Sequence, residues 1–275
     1  MKLLNRFLSH GFLILFIMFM LLPLYLAIVA ASSEGAAMMQ SQLPLLPGVS
    51  FLKNMNTVLT KGLAATGGEP ITSMLLNSLL MAFGIAVGKI FLALGSAFAL
   101  VYFDFPFKKC CFALIFATMM LPVEVRIVPT FQVVASFGLL NSFSGLTLPL
   151  LASATGTFLF RQFFKTIPKE LVDAAKLDGA GPVRFFFDIL LPLSRTQISA
   201  LFVILFVYGW NQYLWPLVIT TETKMATIVM GIRYLAGVAD QIPEWHYIMT
   251  VALIALIPPC MVVMVMQRWF EKGLQ

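Results

Sequence analysis

Six long apolar runs constrain this chain more than any other feature of its sequence. They cover residues 11–31, 75–103, 110–131, 146–164, 198–220 and 247–269. About 20 mostly apolar residues let a helix cross the hydrocarbon of a bilayer. Because a lipid-exposed backbone must satisfy its own hydrogen bonds, each run is expected to be helical. The sequence therefore predicts an all-α polytopic membrane protein with six transmembrane helices.

The composition agrees with a lipid solvent for these runs. Of the 275 residues, 60% are hydrophobic and only 11% are charged, whereas a soluble domain has about 25% charged residues. The net charge of +6 is not gathered into a basic run with aromatic residues, so no nucleic-acid partner is predicted. Residues 1–275 are interpreted as a single transmembrane domain. The first run is too long for a signal peptide and is expected to be retained.

The placement of basic residues predicts the orientation. With the N-terminus inside, the outer segments hold only Lys53, Lys61, Lys224 and Arg233 of the 18 Lys and Arg residues, and Lys89 and Arg126 lie within runs. Inner segments of membrane proteins carry the excess of Lys and Arg. Both termini are therefore expected in the cytoplasm, and so is the segment 165–195 between the fourth and fifth runs.

The segment 165–195 is unusually polar and structured for a connection between spans. "KELVDAAKLD" supplies good helix formers after Pro168, and Gly179 is a residue that stops a helix in the left-handed conformation. Pro182 permits a second helical start, "PVRFFFDILL", which is predicted to end before Pro192. The pattern predicts a helix–turn–helix.

Two small side chains lie near the centre of the first of these helices. Ala174 and Ala175 are expected to form a low spot, and Asp173, Lys176 and Asp178 surround it with charge. Small residues let a partner backbone approach closely, which favours a partner-binding surface. An amphipathic linker on the membrane surface is the alternative.

The spacing in "DAAKLDGAGPVRFFFDILLP" (173–192) resembles the signature of binding-protein-dependent ABC importer permeases of the carbohydrate-uptake (maltose-type) family. That signature reads Glu-Ala-Ala, three residues, Gly, nine residues, Ile, one residue, Leu-Pro, and Asp173 replaces its glutamate. The resemblance implies the type I ABC importer permease fold, with residues 165–195 as a cytoplasmic coupling loop that docks on an ATPase. The docking positions it implies are Asp173, Ala174, Ala175, Leu177, Asp178, Gly179, Ile189 and Pro192.

The resemblance also implies the partners. They are a second permease subunit, two copies of an ATP-binding subunit, an extracytoplasmic solute-binding protein and the lipid of a bacterial inner membrane. ATP would be bound by the partner subunits, so neither a cofactor nor an enzymatic activity is expected in this chain. Its nearest approach to a phosphate loop, "GIAVGKI" (84–90), is one residue short between the glycines. Gly84 and Gly88 are instead interpreted as a helix-packing contact.

Three further stretches indicate the solute. "MLPVEVRIVPT" (120–130), "GLTLPLLASATGTFLFRQFF" (145–164) and "YGWNQYLWPLVIT" (208–220) resemble the permeases of sn-glycerol-3-phosphate importers more than maltose-type permeases. The resemblance implies that solute, and a sugar or oligosaccharide is the alternative. An ion-coupled secondary transporter is a more remote alternative, since no inverted repeat is evident.

Polar residues inside the runs are candidates for the translocation pathway, because charge in a span is costly. They are Glu124, Arg126, Trp210, Asn211, Gln212 and Tyr213, with Lys89 as a weaker candidate. Pairing within the protein, snorkelling and contacts between helices are the alternatives. Neither a catalytic constellation nor a metal site is predicted, because the three cysteines lack ligand spacing and are interpreted as buried hydrophobic side chains.

Overall fold

The computed structural model describes residues 2–35, 45–120, 122–237 and 243–271, and these residues are mostly helical, with no strand among them. The all-α prediction is confirmed. The helices are α1 (Lys2–Ser32), α2 (Phe51–Thr60), α3 (Ile71–Tyr102), α4 (Lys108–Ala117), α5 (Val123–Ser136), α6 (Phe143–Thr147), α7 (Ala154–Thr166), α8 (Lys169–Leu177), α9 (Pro182–Leu193), α10 (Arg195–Trp210), α11 (Leu214–Ile219), α12 (Ile228–Ala236) and α13 (Trp245–Glu271).

Six spans are present only if broken helices are counted as one span each. Three helical stretches are long and apolar enough to cross a bilayer alone, namely Ser9–Ser32, Ile71–Tyr102 and Trp245–Gln267. The three others are bent pairs: α4 with α5, α6 with α7, and α9 with α10. The bend is 49° in the second pair and 72° in the third.

The predicted fifth span, 198–220, is not one helix. Helix α10 ends at Trp210, residues 211–213 are not helical, and α11 resumes at Leu214. The prediction that the second helix of the 165–195 segment ends before Pro192 is also wrong. A π-helical turn at Phe186–Leu190 precedes Pro192, and the helix continues to Leu193. Proline lacks an amide hydrogen and obstructs the carbonyl of the preceding turn, and local π geometry is a common way to accommodate this.

By contacts, the chain forms two compact units: residues 1–75 with 228–257, and residues 76–227 with 258–275. In the first unit, the buried Asn54 of α2 caps the end of α1. Its side-chain amide donates to the carbonyls of Ala31, at 2.9 Å, and Ser33, at 3.0 Å. These bonds satisfy carbonyls that a helix end leaves without intrahelical partners.

The core of the second unit joins α3, α5, α6 and α11. Its buried members are Met81, Ile85, Val134, Leu146, Leu150, Trp215 and Ile219. The indole N–H of Trp215 donates to the carbonyl of Gly145 at 3.2 Å, which satisfies the one polar atom of this buried side chain.

Small residues bring α3 close to its neighbours in the second unit, as predicted for Gly84 and Gly88. A Cβ on Gly84 would lie 3.3 Å from the Thr147 side chain, and one on Gly88 would lie 2.5 Å from that of Leu151. The motif "GIAVGKI" therefore lies in the middle of a packed helix.

Apolar side chains of α1 are exposed along most of its length, from Phe12 to Ile28. The three cysteines, Cys110, Cys111 and Cys260, are exposed as well, so the prediction that they are buried is wrong. In a membrane protein an apolar side chain does not have to enter the protein core, because lipid is an equally apolar surrounding.

Candidate docking segment and polar cluster

The docking segment, residues 165–195, contains α8, a glycine turn and α9. Pro168 precedes α8 as its N-cap residue, and Gly179 follows it with a φ of +72°. The N–H of Gly179 donates to the carbonyl of Lys176 at 3.0 Å, and that of Ala180 to Ala175 at 2.9 Å. This pair of bonds is the Schellman motif, and it confirms the predicted glycine stop.

Ala174 and Ala175, which are consecutive in α8, lie on different sides of the helix. Ala174 is exposed, whereas Ala175 is only 5% exposed and faces the interior. The predicted low spot shared by both residues is therefore wrong, because consecutive residues of a helix lie 100° apart around its axis. Leu177 is 89% exposed. The outward surface of α8 thus offers one large apolar side chain among Asp173, Ala174, Asp178 and Gly179.

Aromatic contacts attach the docking segment to α3. The ring of Phe185 lies 5.2 Å from that of Tyr102 in α3, edge to face, and Phe186 lies 5.0 Å from Phe98 of α3. The Tyr102 hydroxyl donates to the carbonyl of Phe164 in α7 at 3.3 Å. A displacement of α9 would therefore act directly on α3, and on α7 through Tyr102.

A cavity of about 720 Å³ lies behind α8. Its walls include Tyr102, Phe164, Ala175 and Phe185, and the charged Lys165 and Asp104 are also part of its lining. The inward face of α8 is consequently not packed solidly against the spans.

The remaining predicted docking residues lie on α9. Ile189 and Pro192 are half-buried. The hydroxyl of the buried Ser194, where α9 meets α10, donates to the Leu190 carbonyl at 2.6 Å. The Ser194 N–H donates to the same carbonyl, at the end of the π turn, at 3.1 Å, and both bonds support the bend between the two helices.

Two exposed ion pairs lie on the surface of the docking segment and contribute little to its stability. Lys176 lies 3.7 Å from Asp173, and Arg184 lies 3.3 Å from Asp188. All four side chains are well exposed. Such pairs contribute at most about 1 kcal/mol, so the fold of the segment depends on the glycine turn and the aromatic contacts.

A polar cluster lies among the spans of the second unit. Lys89 of α3 is 8% exposed, and its ammonium lies 4.3 Å from the centroid of the Tyr208 ring in α10. The side-chain amide of Gln212 donates to the Tyr208 carbonyl at 3.2 Å. Arg126 is exposed on α5 beside Ile127, and Ile127 packs against the same core cluster as Tyr208. We call these four residues the polar cluster.

The structure separates the predicted pathway residues. Arg126 and Gln212 belong to the polar cluster. Trp210 is 3% exposed and stacks on Phe206 of the same helix with ring centroids 6.0 Å apart, so its side chain is packed inside the protein. Asn211 is exposed and Tyr213 is half-buried, both in the break between α10 and α11. Glu124 is in α5, but its side chain lies outside the described part of the structure.

Sequence patterns did not reveal two structural features. Tyr208 was not grouped with the polar candidates, although it contacts Lys89. The outer segment after the fifth apolar run, to which Lys224 and Arg233 were assigned, contains α12 with Ile228, Met230 and Leu235 buried. The apolar periodicity of α12 was a usable signal, but the helix is short and polar residues flank it.

Asn77 of α3 forms hydrogen bonds with the beginning of that outer segment. Its side-chain amide donates to the carbonyls of Lys224 at 2.7 Å and Ala226 at 3.0 Å. Both acceptors are far from Asn77 in sequence, so its partners could not be deduced from the sequence pattern.

The chain matches a described protein family over most of its length. Residues 89–275 match the family "Binding-protein-dependent transport system inner membrane component". The match includes the docking segment and all members of the polar cluster.

Relatives of high sequence identity support the same family, and a solved structure shares the fold. The chain is 49% identical over 270 residues to the sn-glycerol-3-phosphate transport system permease protein UgpE of Rhizobium meliloti, covering 98% of this chain and 96% of that protein. It is 52% identical over 266 residues to UgpE of Salmonella typhi, covering 97% and 94%. A chain of a bacterial ABC transporter involved in the import of the acidic polysaccharide alginate superposes with a TM-score of 0.82 and 20% identity, covering 97% and 96%. At that identity the superposition shows a shared fold.

Proposed function

We propose a transport function on the premise that this chain belongs to the family of binding-protein-dependent transport system inner membrane components. It is the permease subunit of an ATP-driven importer and forms half of the translocation pathway for sn-glycerol 3-phosphate. The solute is assigned from one observation. The chain is 49% and 52% identical in sequence, over nearly its whole length, to relatives named for the transport of sn-glycerol 3-phosphate. A shared fold alone would leave the solute open, because one fold serves many functions.

The docking segment is assigned to ATPase coupling. The exposed Leu177, framed by Asp173 and Asp178, suits a partner surface with an apolar pocket and a polar rim. The left-handed turn at Gly179 sets the direction in which the chain leaves α8. Movement of a bound ATPase would reach α3 and α7 through the aromatic contacts of Phe185 and Phe186.

The chain itself is proposed to be non-catalytic, with ATP bound by its partner subunits and no cofactor of its own. The closest sequence to a phosphate loop lies within α3, and its Gly84 and Gly88 pack against Thr147 and Leu151. A phosphate loop works through free backbone N–H groups. Within a helix those groups donate to the preceding turn, so this stretch is unsuited to cradle phosphate.

The proposed assembly contains a second permease subunit, two copies of an ATP-binding subunit and an extracytoplasmic solute-binding protein. Residues 1–275 act in it as one permease domain in a bacterial inner membrane, with both termini and the docking segment in the cytoplasm. The distribution of Lys and Arg supports this orientation. The exposed apolar length of α1 supports contact with lipid or with another subunit.

The pathway is proposed to include Arg126, Asn211, Gln212 and Tyr213, together with Glu124. Amides and hydroxyls beside a break in a helix can bind solute hydroxyl groups where free backbone lines a cavity. The buried Trp210 is assigned to supporting this break rather than to solute contact.

Uptake by the assembled transporter tests this function. Membrane vesicles carrying the chain with its permease, ATPase and binding-protein partners should accumulate labelled sn-glycerol 3-phosphate only with ATP. Uptake of maltose instead of this solute would agree with an importer but would refute the assignment of sn-glycerol 3-phosphate as its solute. ATP-independent uptake driven by an ion gradient would overturn the importer.

A matched pair of glycine variants tests the docking assignment. Gly179 and Gly138 have φ values of +72° and +66°, and neither has an atom within 4 Å of an added Cβ. Gly179→Asp should abolish uptake and the ATP turnover stimulated by the binding protein, with normal insertion. Gly138→Asp introduces the same strain and charge outside the docking segment and should retain both. Equal effects of the two variants would refute the docking role.

A further inference from the structure

Lys89 is a buried cation whose partner, among the described side chains, is aromatic and not acidic. Its ammonium lies 4.3 Å from the Tyr208 ring centroid, and the residue is 8% exposed. The ion pairs among the described side chains join Lys108 with Asp104, Lys176 with Asp173, and Arg184 with Asp188, and none involves Lys89. A charge inside a span is expensive, so its retention calls for a counter-charge.

The neighbouring residues increase the positive charge. Arg126 is exposed, so its guanidinium is open to a ligand. Its neighbour Ile127 packs on the same core cluster as Tyr208 and Ile85, and Ile85 lies about one helical turn before Lys89. Gln212 and Tyr208 add an amide and a phenol, which are neutral. Two cations on packed neighbouring helices, neither in an ion pair among the described side chains, form a site that favours an anion.

We infer that Lys89 and Arg126 form the phosphate-binding part of the translocation pathway, with Tyr208 positioning Lys89. This inference rests on the proposed function and adds the group of the solute that is recognised and the residues that contact it. A phosphate monoester near pH 7 carries about two negative charges and three acceptor oxygens.

The two cations have complementary chemistry for such a ligand. The guanidinium of Arg126 can donate two parallel hydrogen bonds to two phosphate oxygens, whereas the ammonium of Lys89 acts as a point charge. Because the face of an aromatic ring attracts a cation, Tyr208 stabilises Lys89 before the solute arrives. A neutral sugar would leave both cations uncompensated, so the site would discriminate against it.

Four variants in the assembled transporter test the site. Lys89→Met keeps the length of the side chain and removes the charge, and Arg126→Gln removes the second charge from an exposed position. Each should lower the maximal uptake rate of sn-glycerol 3-phosphate about 10-fold or more, as expected for the loss of a charge-assisted bond. Lys89→Arg should restore most of the uptake. Lys109→Met, which removes an exposed cation of α4, should leave uptake within twofold of the original.

Two readouts distinguish recognition from a structural role. ATP turnover without binding protein and the melting temperature of the complex should be unchanged in all four variants. Unchanged uptake in Lys89→Met and Arg126→Gln would overturn the inference. So would a loss of uptake that is accompanied by a lower melting temperature in both, or a failure of Lys89→Arg to restore it.

The original transporter separates this inference from the proposed function. If the unmodified complex does not take up sn-glycerol 3-phosphate, the proposed function fails and the phosphate site fails with it. If it does, and the charge-removing variants transport at the original rate, only the phosphate site fails.

In the remaining alternative Lys89 forms an ion pair with Glu124, and the variant Glu124→Gln tests this. If Glu124 were the structural counter-charge of Lys89, combining Glu124→Gln with Lys89→Met would restore uptake, and the inference would be overturned. If the two cations bind phosphate, the double variant should remain as impaired as Lys89→Met.

Discussion

Asn141 and Thr221 are joined by two hydrogen bonds although 80 residues separate them in sequence. The N–H of Thr221 donates to Asn141 Oδ1 at 2.7 Å, and Asn141 Nδ2 donates to the Thr221 hydroxyl at 2.8 Å. Asn141 has a φ of +51°, a conformation that asparagine tolerates better than most residues. Through this residue the connection between α5 and α6 holds the segment that follows α11.

Replacing Asn141 with glycine should loosen that segment. Glycine accepts the positive φ, so the change removes only the side-chain hydrogen bonds, each contributing about 1 kcal/mol. Hydrogen exchange measured by mass spectrometry should speed up about 5-fold or more at Thr221 and Glu222, whose N–H groups donate to Asn141. Exchange within α10 serves as the internal control, and equal acceleration there would indicate general destabilisation instead.

Gly209→Ala should destabilise the second unit. A Cβ on Gly209 would lie 2.9 Å from the Cα of Ala82, so α3 and α10 would have to move apart. Forcing an extra methyl group into a packed contact costs about 1–3 kcal/mol. The melting temperature of the detergent-purified transporter should fall. Gly95→Ala is the matched control, because a Cβ there meets no atom within 4 Å; a similar fall in both variants would contradict the close-packing argument.

Phe185→Ala should detach α9 from α3. Phe185 is 6% exposed and packs on Tyr102, and truncating such a ring costs about 3–5 kcal/mol. Trypsin should then cleave the docking segment faster at its exposed Lys165, Lys169 and Lys176.

Phe187→Ala provides the comparison, since Phe187 is 57% exposed. Its tryptic cleavage rate should stay close to that of the original chain. Equal rates for Phe185→Ala and Phe187→Ala would show that the aromatic contacts do not hold the segment.

Asn54→Ala should uncap α1. The change leaves the carbonyls of Ala31 and Ser33 without the amide that bonds them, and the loss of buried hydrogen bonds costs about 1–3 kcal/mol. Thermal unfolding of the purified transporter should occur at a lower temperature. Asn56→Ala changes an exposed asparagine of the same helix and should have almost no effect; if Asn56→Ala were as damaging, the capping explanation would be untenable.

Local patterns predicted much of the docking segment. The helix over 169–177 and the left-handed stop at Gly179 follow from residues within a few positions of each other, and both are confirmed. The error concerned orientation. Ala174 and Ala175 look equivalent in sequence, but only Ala175 faces the aromatic side chains of other helices.

The contacts of the polar candidates in the spans could not be predicted from local patterns. Trp210 and Gln212 are two residues apart, yet one stacks on Phe206 and the other bonds the carbonyl of Tyr208. Apolar runs predict that a span exists, but a break such as residues 211–213 is decided by how neighbouring helices satisfy the interrupted backbone.

The sequence by itself determined that this chain is a helical membrane protein, because each span depends on the transfer of about 20 consecutive side chains into lipid. Only the tertiary structure decided which residues meet. Lys89 reaches Tyr208, and Asn77 reaches Lys224 across 147 residues. Such pairs depend on how helices cross, and helix crossing is a collective result of packing that no short segment encodes.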